Sequence, residues 1–241
     1  FDYRWATYEP DGTTRLVTPE EKADPTFAVM PRYWVREDLV DDRLEGRSHG
    51  SWLLGWRDIC RSTDERTMIA SVFPCTAVGH TMPIAFHTGP TAPLQSAWTS
   101  YAFDYVARQK VGGTHMTYGY LEQLPIPTPR AFASSASYPL PWIDARVAAL
   151  TGQYLSTRRS ILRAELDAAF FHLYGIDRDD VDYIMDTFPI VKRKDEAEFG
   201  EYRTKRLILE IYDAMSEARA TGVPYESPTD IDTPDGQEIT T

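Results

Sequence analysis

The hydrophobic period changes once along this chain, at Pro93, and that change limits the folds open to it. Upstream, apolar runs are short and closed by Pro or Gly. Thr67 to Phe73 stops at Pro74, and Met82 to Phe86 lies between Gly79 and Gly89-Pro90, so both read as buried strands. Arg32-Tyr33-Trp34-Val35 is aromatic and β-prone, and Ser51 to Ile59 is apolar but short, so residues 1–66 read as irregular chain with short strands. Downstream, Leu94, Trp98, Tyr101, Ala102 and Tyr105 recur at steps of three and four, which predicts a helix from Pro93 to about Lys110, stopped by Gly112-Gly113. A Pro- and Ser-rich stretch follows Pro125 and reads as a linker or surface crossing.

Helical spacing then resumes. Ile143, Val147, Leu150, Ile161, Leu162, Leu166, Phe170 and Leu173 keep it, with Gly152 a candidate interruption and Gly175 a stop. Asp177 caps a short helix carrying Val181, Ile184, Met185 and Phe188 on one face until Pro189 ends it. A further helix, about Tyr202 to Ala220, turns Leu207, Ile208, Ile211, Tyr212 and Met215 inward. Strands followed by helices define an α+β chain, a mixed β-sheet region and then a helical one. The expected division is an irregular segment at 1–29, a mixed α/β domain at 30–130, a helical domain at 131–220 and a loosely attached acidic tail at 221–241.

With 241 residues, 42% of them hydrophobic, the chain can hold one large domain or two small ones. It has no apolar run of about 18 residues, and its first residues form no signal peptide, so no membrane span is expected. The missing initiator Met points to a fragment of a longer protein. Cys60 and Cys75 are too few for a disulfide framework and read as buried free thiols, which implies a cytoplasmic location. The net charge of −11 argues against a nucleic-acid partner, but it is unevenly spread: residues 1–50 carry −4, 51–130 carry +1 and 131–241 carry −8. Asn is absent throughout, which leaves Gln as the only side-chain amide able to pair bidentately with adenine.

Two basic clusters stand out. Arg108-Gln109-Lys110 precedes the glycine pair and the polar, aromatic run Thr114-His115-Met116-Thr117-Tyr118. Lys192-Arg193-Lys194 follows Pro189 and reads as a turn, either simply solvated or clamping phosphate. In the first cluster Arg108 and Lys110 suit phosphates or guanine edges, Gln109 suits adenine, and Thr114 or Tyr118 suits phosphate or a thymine methyl, with the glycines giving the backbone close approach. Three consecutive helical residues point in different directions, so they cannot all read bases. Arg32, Trp34 and Arg36 form a weaker strip, which the aromatic alternation assigns to core packing.

Catalytic signals are missing. Asp11 with Glu20-Glu21-Lys22 has the spacing of a nuclease metal site but lies in turn-rich sequence, and His49, His80, His87, His115 and His172 lack ligand spacing. There is neither a Gly-rich cofactor loop nor an adenine pocket motif, so the chain by itself is expected to be inert.

Phe103-Asp104-Tyr105-Val106-Ala107-Arg108-Gln109-Lys110-Val111-Gly112-Gly113-Thr114-His115, followed by Leu121-Glu122-Gln123-Leu124-Pro125, resembles the target-recognition region of adenine-specific DNA methyltransferases. The relatives meant are single-chain type II restriction-modification enzymes and the large methylases of the BREX and DISARM phage-defence systems. Asp64-Glu65-Arg66-Thr67, Val78-Gly79-His80, the stretch from Tyr183 to Lys192, and Gly200 to Lys205 fit the same pattern, together covering most of residues 30–215. Thr99 departs from it, since such relatives tend to carry Asn there. The resemblance implies that 30–130 is a target-recognition domain contacting double-stranded DNA through Arg108, Gln109, Lys110, Gly113, Thr114, His115, Tyr118, Lys192, Arg193 and Lys194. It places S-adenosylmethionine, and the flipping and N6-methylation of adenine, in an N-terminal methyltransferase domain of the parent chain, with no cofactor held here. The alternatives are a docking module for defence-complex proteins and a specificity subunit like those of type I systems.

Overall fold

The computed structural model describes residues 4–24, 26–47, 51–134, 138–151 and 156–229. His49, Gly152 and most of the expected tail lie outside these residues. The fold is α+β, with small sheets and many helices. Two compact units share the chain: residues 1–58 with 69–89, and residues 59–68 with 90–241. The Pro- and Ser-rich run after Pro125 therefore falls inside the second unit, where Ala97 before it, Phe132 within it and Ile143, Leu166 and Phe170 after it close one apolar cluster.

The first unit opens on a hairpin of β1 (Ala6–Tyr8) and β2 (Thr14–Leu16), turned at Gly12, whose φ of +84° favours glycine. Next comes α1 (Pro19–Ala23), begun by a capping box between Thr18 and Glu21 with Pro19 at its first position. The segment expected to be irregular is thus ordered by local capping and turn chemistry. Asp11 and Glu21 are engaged there: Asp11 accepts from the Thr13 hydroxyl at 2.7 Å and Glu21 accepts a fork from Arg15 at 2.6 and 2.7 Å. Then α2 (Glu37–Leu44) follows the β-prone Arg32-Tyr33-Trp34-Val35 run, which forms no strand.

The three-stranded sheet runs in the order β4 (Ala70–Pro74), β3 (Trp52–Trp56), β5 (Ile84–Ala85). Its pairings are antiparallel rather than mixed, with Leu54 opposite Val72 and Ala85. Leu53, Leu54, Trp56 and Phe73 are buried. Gly55 is required, because a Cβ there would meet Pro83 O at 2.8 Å and the Phe73 ring at 2.9 Å.

The second unit is helical. The helix expected from Pro93 to Lys110 is two, α3 (Thr91–Thr99) and α4 (Tyr101–Lys110). Ser100 separates them: its backbone is extended, and its hydroxyl accepts from Phe103 N at 3.2 Å while donating to Ala97 O at 2.8 Å. Thr99 caps nothing and returns its hydroxyl to Gln95 O. After α5 (Tyr118–Leu121) and α6 (Pro129–Ser134) come α7 (Leu140–Thr151) and α8 (Ser156–Leu173). Asp177 caps α9 (Arg178–Asp186), α10 (Pro189–Phe199) ends at the left-handed Gly200, and α11 (Arg203–Thr221) follows.

The core of this unit lies where α8 and α11 meet, with Phe171, Val181, Met185, Phe188, Ile208 and Met215 almost fully enclosed. At its edge the half-buried His172 stacks on Tyr212 at 3.9 Å and on Tyr138 at 5.8 Å between centroids. Arg219 donates to His172 Nδ1, and Nε2–H reaches Tyr212 O, which is the neutral tautomer. The chain beyond α11 is attached, because Tyr225 donates to the Glu165 carboxylate at 2.9 Å and the same carboxylate pairs with Arg146 at 2.8 Å.

Candidate nucleic-acid interface

The candidate interface is built on a buried carboxylate. Asp104, in the first turn of α4, is fully enclosed and accepts from Thr67 N at 3.0 Å, Met68 N at 3.2 Å and Arg66 Nε at 2.5 Å. These bonds fasten residues 64–68 to α4. Arg66 also donates to Thr99 O at 2.5 Å and lies over the Tyr101 ring at 4.1 Å. Burial disfavours its charge, but the facing Asp104 more than compensates and holds its proton above the ordinary arginine value.

Arg108 sits one helical turn after Asp104, and its place differs from the sequence expectation. Only 8% of its side chain is exposed. One amino group donates to both Asp64 O and Glu65 O at 2.6 Å, and the guanidinium lies 4.1 Å from the Phe188 ring. Burial lowers its proton affinity below the usual arginine value. Arg108 is therefore a brace joining α4, residues 64–65 and the α9–α10 junction. A guanidinium so enclosed, with its Nε buried, presents no donor fork to guanine or phosphate.

Its neighbours face solvent. Gln109 and Lys110 are exposed on the last turn of α4. The helix is stopped by Val111, extended and buried, whose N–H reaches Ala107 O. Gly112 and Gly113 are not left-handed, and a Cβ on either would meet nothing within 4 Å. The expected glycine stop is thus a valine anchor.

From Gly112 the loop is tethered at three points. Thr114 O accepts from Cys60 N at 3.0 Å, His115 forms an antiparallel bridge with Ile59, and Met116 is wholly buried. Between these anchors Gly113, Thr114, His115 and Tyr118 are exposed, Tyr118 at 54%. Ile59, exposed beside His115, is a neighbour that sequence reasoning missed, since the bridge joins residues 56 positions apart.

Lys192, Arg193 and Lys194 form part of helix α10, not a turn. Pro189 closes the previous helix yet occupies the first position of this one, where its missing N–H costs nothing. The three side chains are exposed and spread around the axis. Lys194 pairs with the Glu65 carboxylate at 2.5 Å, and Lys192 lies 4.0 Å from Glu196. Arg193 has no ion-pair partner among the described residues. Glu65 is the common point, because its carbonyl takes Arg108 and its carboxylate takes Lys194. The two clusters, about eighty positions apart, therefore meet around the 61–66 loop.

No group of three or more His, Cys, Asp or Glu side chains is placed to hold a metal ion among the described residues. No described helix is long and apolar enough to cross a membrane. No protein-family model, curated protein or solved structure matches the chain.

Proposed function

We propose that this chain is the sequence-reading part of a DNA adenine-N6 methyltransferase, holding the duplex while a methylase domain with S-adenosylmethionine acts on a flipped adenine. The observation that carries this reading is the single exposed amide at the solvent end of α4, placed between a buried brace and a tethered polar loop. A rigid support under an exposed amide is what bidentate recognition of adenine N6 and N7 needs. Lys110 and Arg193 supply phosphate contacts that set register, and Thr114, His115 and Tyr118 touch the groove beside Gln109. Arg108 serves the site by positioning and makes no DNA contact.

The test is to sequence the methylated sites left by the parent enzyme carrying Gln109→Ala. The motif should relax at one A·T pair, equivalent to about 1–3 kcal/mol of lost discrimination, with unchanged non-specific binding. An unaltered motif at full activity would remove Gln109 as a reader.

A further inference from the structure

Residues 30–47 bury nothing. Every one of them is exposed or partly exposed, and α2 within them has no buried side chain. Tyr33 and Trp34 are each 76% exposed, with Val35 at 52% and Leu39 at 49%. The core-packing role that their alternation suggested is therefore not theirs. An eight-residue helix without a side-chain cap is also too short to hold itself in water, where roughly 12–15 residues are marginal. A formed helix next to two open aromatic rings is the condition of a segment that completes its burial against another surface.

Charge decides which surface. Around α2, Leu39, Val40 and Leu44 take one side, and Glu37, Asp38, Asp41 and Asp42 the other. Arg36 is paired with Asp38, and Arg32 lies over the Tyr33 ring at 5.3 Å. Glu37, Asp41 and Asp42 have no ion-pair partner among the described residues. Nucleic-acid phosphate would be repelled by these carboxylates, whereas lysines and arginines would pair with them.

We propose that residues 30–47 are a docking segment for a basic polypeptide surface, with Tyr33, Trp34 and Leu39 entering an apolar groove and Glu37, Asp41 and Asp42 meeting cations on its rim. None of these residues is among the proposed DNA-reading ones, and the test does not depend on those.

The test follows amide hydrogen exchange in the full chain titrated with a synthetic amphipathic Leu/Lys helical peptide, its Leu/Glu counterpart and a single-stranded oligothymidine. The Leu/Lys peptide alone should slow exchange across residues 30–47. Its affinity should fall about tenfold in a Tyr33→Ser/Trp34→Ser/Leu39→Ser variant and again in a Glu37→Gln/Asp41→Asn/Asp42→Asn variant. Neither variant should move the unfolding midpoint, because nothing substituted is buried. Absence of protection, equal protection by the Leu/Glu peptide, protection by oligothymidine, or a lowered midpoint would each overturn the proposal.

Discussion

Arg108 and Gln109 are adjacent in sequence yet serve opposite ends, and the helical step of about 100° between them is the reason. One side chain turns down onto Asp64, Glu65 and Phe188 while the other faces water. Arg108→Ala should therefore behave as a core substitution, costing about 2–4 kcal/mol in urea unfolding by removing an enclosed side chain and stranding the part-buried Asp64 and Glu65 carbonyls. A cost below the scatter of surface substitutions, about 0.5 kcal/mol, would mean that the brace is not formed.

Asp167 shows the reverse case, a buried carboxylate that resists ionisation. It accepts Tyr101 N–H at 2.8 Å, and burial raises its carboxyl to about 6. Because the unfolded value is about 3.9, the folded chain holds this proton more tightly. Its contribution to stability is thus fully present below about pH 4 and lost as pH rises through 6. Asp167→Asn keeps an acceptor for Tyr101 and removes the titration. Between pH 4 and 7 the variant should gain on the natural chain by about 3 kcal/mol in denaturant unfolding, and parallel curves would contradict the assignment.

Among the elements, glycine roles separate local from tertiary control. Gly112→Ala and Gly113→Ala should leave stability unchanged or raise it by about 0.4–1 kcal/mol, since neither position needs glycine and each substitution narrows the unfolded ensemble. Gly200→Ala should cost about 1–2 kcal/mol because its φ is +76°. Thermal unfolding of the three variants would check this order, and a loss at Gly113 would restore the glycine stop.

The same contrast explains what was legible in the sequence. Helices α9 and α11 were readable because apolar residues at three- and four-residue steps meet one core. The break at Ser100 was hidden, since the apolar period runs through it and only a hydroxyl cap marks the change. Pro189 was read as an end when it is also a beginning. α2 gave no signal because it packs on nothing, and β1 and β2 are too short for a period. Of the candidate site, the exposed Gln109, Lys110 and loop residues were readable as types. Which of its two cations was available depended on Asp64, Glu65 and Phe188, which no local pattern links to Arg108.

For the whole molecule, charge sets the limits. With −11 overall, the chain should bind non-specific duplex weakly, with Kd on the order of 10⁻⁴–10⁻⁶ M at physiological salt. On the proposed reading, specificity comes from a few rigidly held contacts, and a methylase partner supplies further attraction. The interface around the 61–66 loop is compatible with this, since Lys194 is drawn off by Glu65 and Lys110 and Arg193 remain for phosphate.

The central claim is that DNA lies across the end of α4 and the start of α10. Its most direct test is the salt dependence of duplex binding by the natural chain and by the Lys110→Ala/Arg193→Ala variant. The account predicts that the slope of log K against log salt becomes shallower by about 1.8, or 0.9 for each lost phosphate contact. An unchanged slope, or no binding by the natural chain even at low salt, would contradict it.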